Sequence, residues 1–196
     1  PDLALLMQNN QTTRITLACD PRLVDLFNRS FEFLTVIPKS EDNKYQNLEN
    51  DLDYWIFIGS LPQFYRHKIE DFARQSTYLI EDNKLLNMWE HRFKKLSRQI
   101  NIGISWVGGS QKKNTRSTSL EKLLPILSKA NQKANIINLQ YGDHKKEMED
   151  FRKNTGIIIY DWDDCDPLKD LNNYSAQIKA LDLVISIDSA LVEFSG

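Results

Sequence analysis

Cysteine is scarce in this chain: Cys19 and Cys165 are the only two in 196 residues, far apart and without a partner motif. That excludes a disulfide-stapled secreted scaffold and fits a reduced, cytoplasmic protein. Long hydrophobic runs are missing too. No stretch approaches the roughly 18 apolar residues of a membrane span, and the N-terminus has no signal-peptide pattern. An excess of one charge is also absent. With a formal net charge of -2 the chain lacks the basic footprint of a nucleic-acid binder. His67, His91 and His144 show no metal-ligand spacing, and there is no nucleophile elbow or histidine-based triad pattern. No catalytic histidine is assigned. Internal repeats and low-complexity segments are lacking as well.

What remains is an ordinary globular balance, 41% hydrophobic and 27% charged, enough for one or two units with real cores. From residue 100 onward, short apolar runs alternate with helical patterns. Ile102–Trp106, Ala134–Leu139, Ile157–Tyr160 and Leu183–Ile187 read as strands. Leu120–Ala130, His144–Lys153 and a segment from Pro167 to about Leu181 read as helices, with Pro125 placed to kink the first of them or end it early. Continuously apolar strands separated by helices predict a parallel sheet covered on both faces, a doubly wound α/β domain.

The first half is similar in kind. Leu3–Met7 reads as helix, Arg14–Ala18 as strand and Pro21–Asn28 as helix capped by Asp20. Phe33–Ile37 is a strand stopped by Pro38, residues 39–53 a polar loop, and Tyr54–Ile58 another strand. Leu85–Gln99 is an amphipathic helix with Met88, Trp89, Phe93 and Leu96 facing inward and its charges solvated. The expected division is a first lobe at 1–83, a linker helix at 84–100 and a second lobe at 101–196.

Three stretches carry candidate chemistry. In "ISWVGGSQKKNTRSTSLEKLLPIL", residues 104–127, a strand ends in glycines and reopens as a helix. Gly103 and Gly108 have the spacing of a phosphate loop, but Gly109 stands where the lysine belongs, and Gly-x-Gly-x-x-Gly is absent. A plain connection and a ligand loop both remain open, with Lys112, Lys113 and Arg116 as candidate charges at the carboxyl edge of the sheet. "DWDDCD", residues 161–166, offers Asp-x-Asp pairs that could hold Mg²⁺ or Mn²⁺, or acidic residues that favour a following helix N-terminus. No metal is assigned. In "LDLVISIDSALVEFSG", residues 181–196, a buried strand ends in Asp188-Ser189 and turns into a helix. Its first amides could receive an anion, or Ser189 and Asp188 could simply cap it.

Several stretches in order, "ITLACDPRLVDLFNRSF", "DYWIFIGSLPQF", "IGISWVGGS", "TRSTSLEKLLPIL", "IINLQYGD" and "ALDLVISIDSALVEFSG", resemble the GT-B glycosyltransferase-like domains that often follow tetratricopeptide repeats in bacterial proteins. These are relatives of the heptosyltransferases (glycosyltransferase family 9) and, more distantly, of the O-GlcNAc transferases. The resemblance implies two Rossmann-like lobes with parallel sheets facing across a cleft, the second binding a nucleotide-sugar without metal or other cofactor. It implies transfer of the sugar to a protein or glycan acceptor. Trp106 and Gly108 would shape the first donor loop, and Arg116-Ser117 would open the next helix. Gln140 would end the second strand, and Asp188-Ser189 would meet the diphosphate. Ser60 and Pro62 would lie across the cleft. Glu193 stands where such proteins commonly have histidine, and a carboxylate there would repel a diphosphate. The usual first strand, with its catalytic carboxylate, would precede Pro1, and further elements would follow Gly196, so the catalytic residue is unassigned. A relative that binds without catalysing is the alternative.

Overall fold

A computed structural model describes residues 2–9, 13–39, 52–72, 78–108 and 117–195, with backbone only at 7–9 and 193. It divides into two compact units, Pro1–Tyr78 and Leu79–Gly196.

The first unit contains helix α1 (Asp2–Asn9), strand β1 (Ile15–Cys19), helix α2 (Val24–Ser30), strand β2 (Leu34–Pro38) and the single turn α3 (Pro62–Tyr65). β1 and β2 pair in parallel, Ile15 opposite Leu34 and Ala18 opposite Ile37. The Asp20 carboxylate accepts from the Arg22 backbone N–H at 2.9 Å, capping the tight turn that leads into α2. Leu26, Leu34, Val36 and Leu61 are buried. Tyr54–Ile58 is not a strand. Residues 54–57 have no regular structure, Ile58–Ser60 is a short 3₁₀ turn, and Tyr54, Trp55 and Phe57 are 93%, 75% and 73% exposed. The run has strand composition, but no described strand lies beside it to complete a ladder, and composition alone does not make one.

The second unit begins with α4 (Asn83–Lys94), capped by Asp82, whose carboxylate accepts from Lys84 N and Leu85 N. Then follow β3 (Ile100–Ser105), α5 (Leu120–Ala130), β4 (Ala134–Asn138), α6 (Lys145–Thr155), β5 (Ile159–Tyr160), α7 (Leu171–Lys179), β6 (Leu183–Ser186) and α8 (Ala190–Ser195). All neighbouring strands are parallel, in the order β5-β4-β3-β6. The segment expected as a linker, 84–100, spans α4 and the first residue of β3. α4 packs on α7 within this unit, burying Trp89 and Phe93.

Side-chain alternation along the strands builds two cores. Ile102, Ile104 and Ile136 pack with Trp106, Leu120, Leu127 and Phe151 on the α5–α6 side. Ile137 and Leu139 point the other way, toward Trp89, Ala176, Tyr174 and Ile178. This is the doubly wound arrangement that strands with apolar side chains on both faces require. Gly103 has a packing reason. A Cβ there would stand 2.3 Å from Leu139 Cδ1 and 2.5 Å from Leu181 Cδ1, so its missing side chain is what lets those leucines close on the sheet.

Two expectations are corrected locally. α5 runs through Pro125 to Ala130 without a break, because Pro125 lies on the exposed face, where water can serve the carbonyl its ring leaves unpaired. α7 starts at Leu171, not at Pro167. Residues 167–169 form a separate turn closed by Asp170 N to Asp166 O at 2.9 Å, and extended Asp170 then caps the helix through Asn173 N. At the end of α6, Gly156 holds φ +75°, and nothing lies within 4 Å of where its Cβ would be. Gly156→Ala is therefore expected to cost about 1 kcal/mol through backbone strain alone, measurable by urea unfolding with an unchanged m-value.

Candidate functional site

In the order β5-β4-β3-β6 the chain winds outward from β3 in both directions, so the crevice at the carboxyl ends of β3 and β6 is the topological switch point where α/β sheets hold ligands. Ile187 N donates to Ser105 O at 3.3 Å, tying the two strand exits together. Beyond them, Thr118 N donates to Trp106 O at 2.8 Å and Gly108 N to Ser117 Oγ at 3.0 Å, which pins the base of the loop leaving β3. A Cβ on Gly108 would be 3.4 Å from Ile187 Cδ1, so this loop base sits against the end of β6. There Ser186 Oγ donates to Ile187 O and lies 3.3 Å from Ser189 Oγ. Asp188 is exposed and Ser189 half-buried.

The structure thus brings Gly108, Ser117 and Asp188-Ser189 to one place. Ser117 stays in the loop base, and it is Ser119 that caps α5, accepting from Lys122 N. Gly109, Lys112, Lys113 and Arg116 lie outside the described residues, as does the side chain of Glu193.

Trp106 and Gln140 stand beneath this surface with their side chains engaged by protein. Gln140 Oε1 accepts from Trp106 N at 2.9 Å, Val107 N at 2.8 Å and Ser105 Oγ at 3.0 Å, while its Nε2 donates to Val107 O and Tyr141 O. It is 4% exposed. One amide therefore replaces the ladder partners that β3 loses where β4 ends. Trp106 is fully buried and donates its Nε1–H to Glu147 Oε1 at 2.9 Å.

A second feature on the same edge is a cavity of about 150 Å³ beyond β4 and β5, lined by Tyr141, His144, Lys145, Asp161, Asp163 and Tyr174 among others. The "DWDDCD" carboxylates on and near it have local partners. Asp161 accepts from Asn138 Nδ2 at 2.9 Å, Asp163 pairs with Lys145, Asp164 pairs with Arg92, and Asp166 accepts from Leu168 N and pairs with Lys169. The Arg92 guanidinium beside Asp164 holds its carboxyl below the usual range. Among the described residues no cluster of three or more histidine, cysteine or acidic side chains could hold a metal ion. Burial, with Asp164 nearby, pushes the Cys165 thiol up to about 12, which leaves it a thiol rather than a reactive thiolate.

Sequence reasoning overlooked His144 and Glu147. The signal was a histidine and a glutamate three residues apart at the start of a helix after a buried strand. Such a pair meets across one turn, here at 2.9 Å.

Ser60 and Pro62 lie in the first unit, Ser60 closing the 3₁₀ turn and Pro62 opening α3 around buried Leu61.

No family model matches the chain. Over 93% of its length it is 24% identical to the protein FlbA of Caulobacter vibrioides, and it spans 32% of that protein. Among solved structures it is similar to the ADP-heptose lipopolysaccharide heptosyltransferase II of E. coli, with a TM-score of 0.60 and 8% identity, covering 98% of this chain and 75% of that one. The fold is thus α/β and GT-B-like, with parallel sheets, as in that heptosyltransferase. No described helix is long and apolar enough to cross a membrane.

Proposed function

We propose that this chain is a glycosyltransferase domain that takes a sugar from a nucleotide-sugar and passes it to a protein or glycan acceptor, without a metal. The observation that carries the reading is the meeting of Gly108, Ser117 and Asp188-Ser189 at the switch point between β3 and β6, in a GT-B-like fold. The Ser117 and Ser189 hydroxyls, without a buried carboxylate beside them, suit a diphosphate there. Arg116, between Gly108 and Ser117 in the sequence, would supply the positive charge. The mechanism is positioning plus electrostatic stabilisation of the departing diphosphate. The first unit, with Ser60 and Pro62, serves the acceptor side, and the second the donor. The engaged "DWDDCD" carboxylates support the metal-independent form.

Glu193 favours a second reading, a module that has kept the fold and lost catalysis, since a carboxylate beside a diphosphate opposes it. Titration of UDP, GDP and ADP into the protein by calorimetry separates the two. Binding of one of them, weakened about tenfold or more by Arg116→Ala and unchanged by Mn²⁺ or Mg²⁺, supports the transferase. The tenfold figure corresponds to loss of one charge-assisted hydrogen bond, roughly 1.5 to 3 kcal/mol. Glu193→His is expected to tighten binding, most at low salt. No binding by any nucleotide leaves the non-catalytic module.

A further inference from the structure

The cavity beyond β4 and β5 contains an imidazole whose orientation is fixed from outside it. Glu147, in the first turn of α6, bridges two rings: Oε1 accepts from Trp106 Nε1 at 2.9 Å, and Oε2 accepts from His144 Nδ1 at 2.9 Å. Trp106 is fully buried, so the carboxylate is anchored to the core. The His144 ring also meets the Trp106 ring edge to face, with centroids 5.5 Å apart. A carboxylate only accepts hydrogen bonds, so Nδ1 must carry the hydrogen, and in the neutral ring Nε2 is then an acceptor. Among the described residues Nε2 has no hydrogen-bond partner. It lies beside the turn at Gly142, where a Cβ would come within 3.8 Å of it.

The groups around His144 decide what Nε2 can meet. From its own helix come Lys145 and Glu147, and across the cavity stand Asp161 and Asp163, with Tyr141 at the rim. Lys145 is taken by Asp163 and Asn138 by Asp161, so the wall offers mainly acceptors. Such a wall repels a phosphate and welcomes hydroxyl groups.

We propose that His144, positioned by Glu147, determines specificity by accepting a hydrogen bond from a sugar-ring hydroxyl of the bound nucleotide-sugar. The inference rests on the transferase reading and adds to it a residue, an atom and a direction of donation. The hydroxyl comes either from the ribose or from the transferred sugar.

The test is ¹⁵N NMR of the His144 ring combined with calorimetry. The expected spectrum has a protonated Nδ1 and a bare Nε2 whose shift moves when UDP, GDP or ADP binds. If the ribose is the source, the 2′,3′-dideoxy counterpart binds roughly three- to tenfold more weakly, as for one neutral hydrogen bond, and leaves Nε2 in place. If the transferred sugar is the source, Nε2 moves only with UDP-glucose, GDP-mannose or ADP-glucose. Glu147→Gln gives a sharper result. Its single carbonyl oxygen can serve Trp106, its amide must then donate to His144 Nδ1, and the ring switches to the Nε2–H form with the same loss of affinity. His144→Phe keeps the ring contact with Trp106 and is expected to lose affinity equally. A wild-type ring already in the Nε2–H form, or a bound nucleotide-sugar that leaves Nε2 unmoved, overturns this inference and leaves the transferase reading standing. Failure of every nucleotide and nucleotide-sugar to bind removes that reading, and this inference with it.

Discussion

Gln140→Leu is expected to destabilise the second unit by about 3 to 5 kcal/mol. The substitution keeps bulk but removes every polar partner that Gln140 supplies. Trp106 N and Val107 N lose the oxygen they share, and Val107 O loses its donor. Each buried group left unpaired costs about 1 to 3 kcal/mol, and leucine offers nothing in exchange. For a chain of this size the melting temperature should fall by roughly 10 °C or more. The loop base at Gly108 is continuous with Val107, so nucleotide binding should weaken further than the stability loss alone explains. Gln140→Glu is the control. It retains the accepting oxygen but places a second oxygen against Val107 O and Tyr141 O, so its defect should shrink as pH falls and that oxygen gains a proton. Thermal scans of both variants across pH check the pair. A leucine variant as stable as wild type would mean that the amide does not brace the strand exit.

Trp89→Ala is the second large effect, about 3 to 5 kcal/mol. Trp89 is fully buried, packs against Phe93 at a tilt and Trp162 edge to face, and donates to Asn173 Oδ1 at 2.8 Å. Asn173 in turn donates to Asp164 O, so the tryptophan ties α4 to α7 and to the loop before it. Truncation leaves both a cavity and a stranded amide oxygen. Trp89→Phe restores most of the volume and should recover more than half of the loss. Hydrogen exchange locates the effect. Faster exchange should appear in α4 and α7, with β1 and β2 unchanged, because the core that Trp89 joins lies in the second unit. Acceleration spread equally over β1 and β2 would contradict that assignment.

The sheet of the second unit was legible because its strands are short and mostly apolar, with β3 and β4 buried on both sides, and that pattern has few alternative structures. Ile102, Ile104, Ile136 and Ile137 declare themselves by composition, and the cap Asp20 by position. Tyr54–Ile58 shows the limit of the same argument. Its residues are as strand-prone as those of β3, yet pairing depends on a neighbour that no local window contains. The start of α7 fails for a related reason, since Pro167 and Asp170 both suit a helix entry and only the turn closed on Asp166 chooses between them. In the candidate site, the meeting of Gly108 with the Asp188-Ser189 turn followed from topology, which places strand exits side by side. The roles of Gln140 and Glu147 did not, because the hydrogen bonds that tie them to Trp106 and Val107 span 33 to 41 residues in sequence.

Strand order also constrains how this unit is made. β5 and β6 are consecutive in the chain but occupy opposite edges of the sheet, separated by β4 and β3. A ribosome releasing the polypeptide from its N-terminus can assemble β3, α5, β4 and α6 as a local block. The flank of β3 that will receive β6 then remains open until residue 186 has emerged. During that interval the backbone of β3 presents unpaired amides and carbonyls on an apolar strand, the kind of edge that recruits foreign strands. Closure requires α7 to cross the sheet first, so the final step joins residues about 80 positions apart, such as Ile102 and Leu183. Chains released before that point carry a complete hydrophobic strand without its second neighbour. Nascent fragments ending between β5 and β6 should accordingly be the ones that chaperones hold longest.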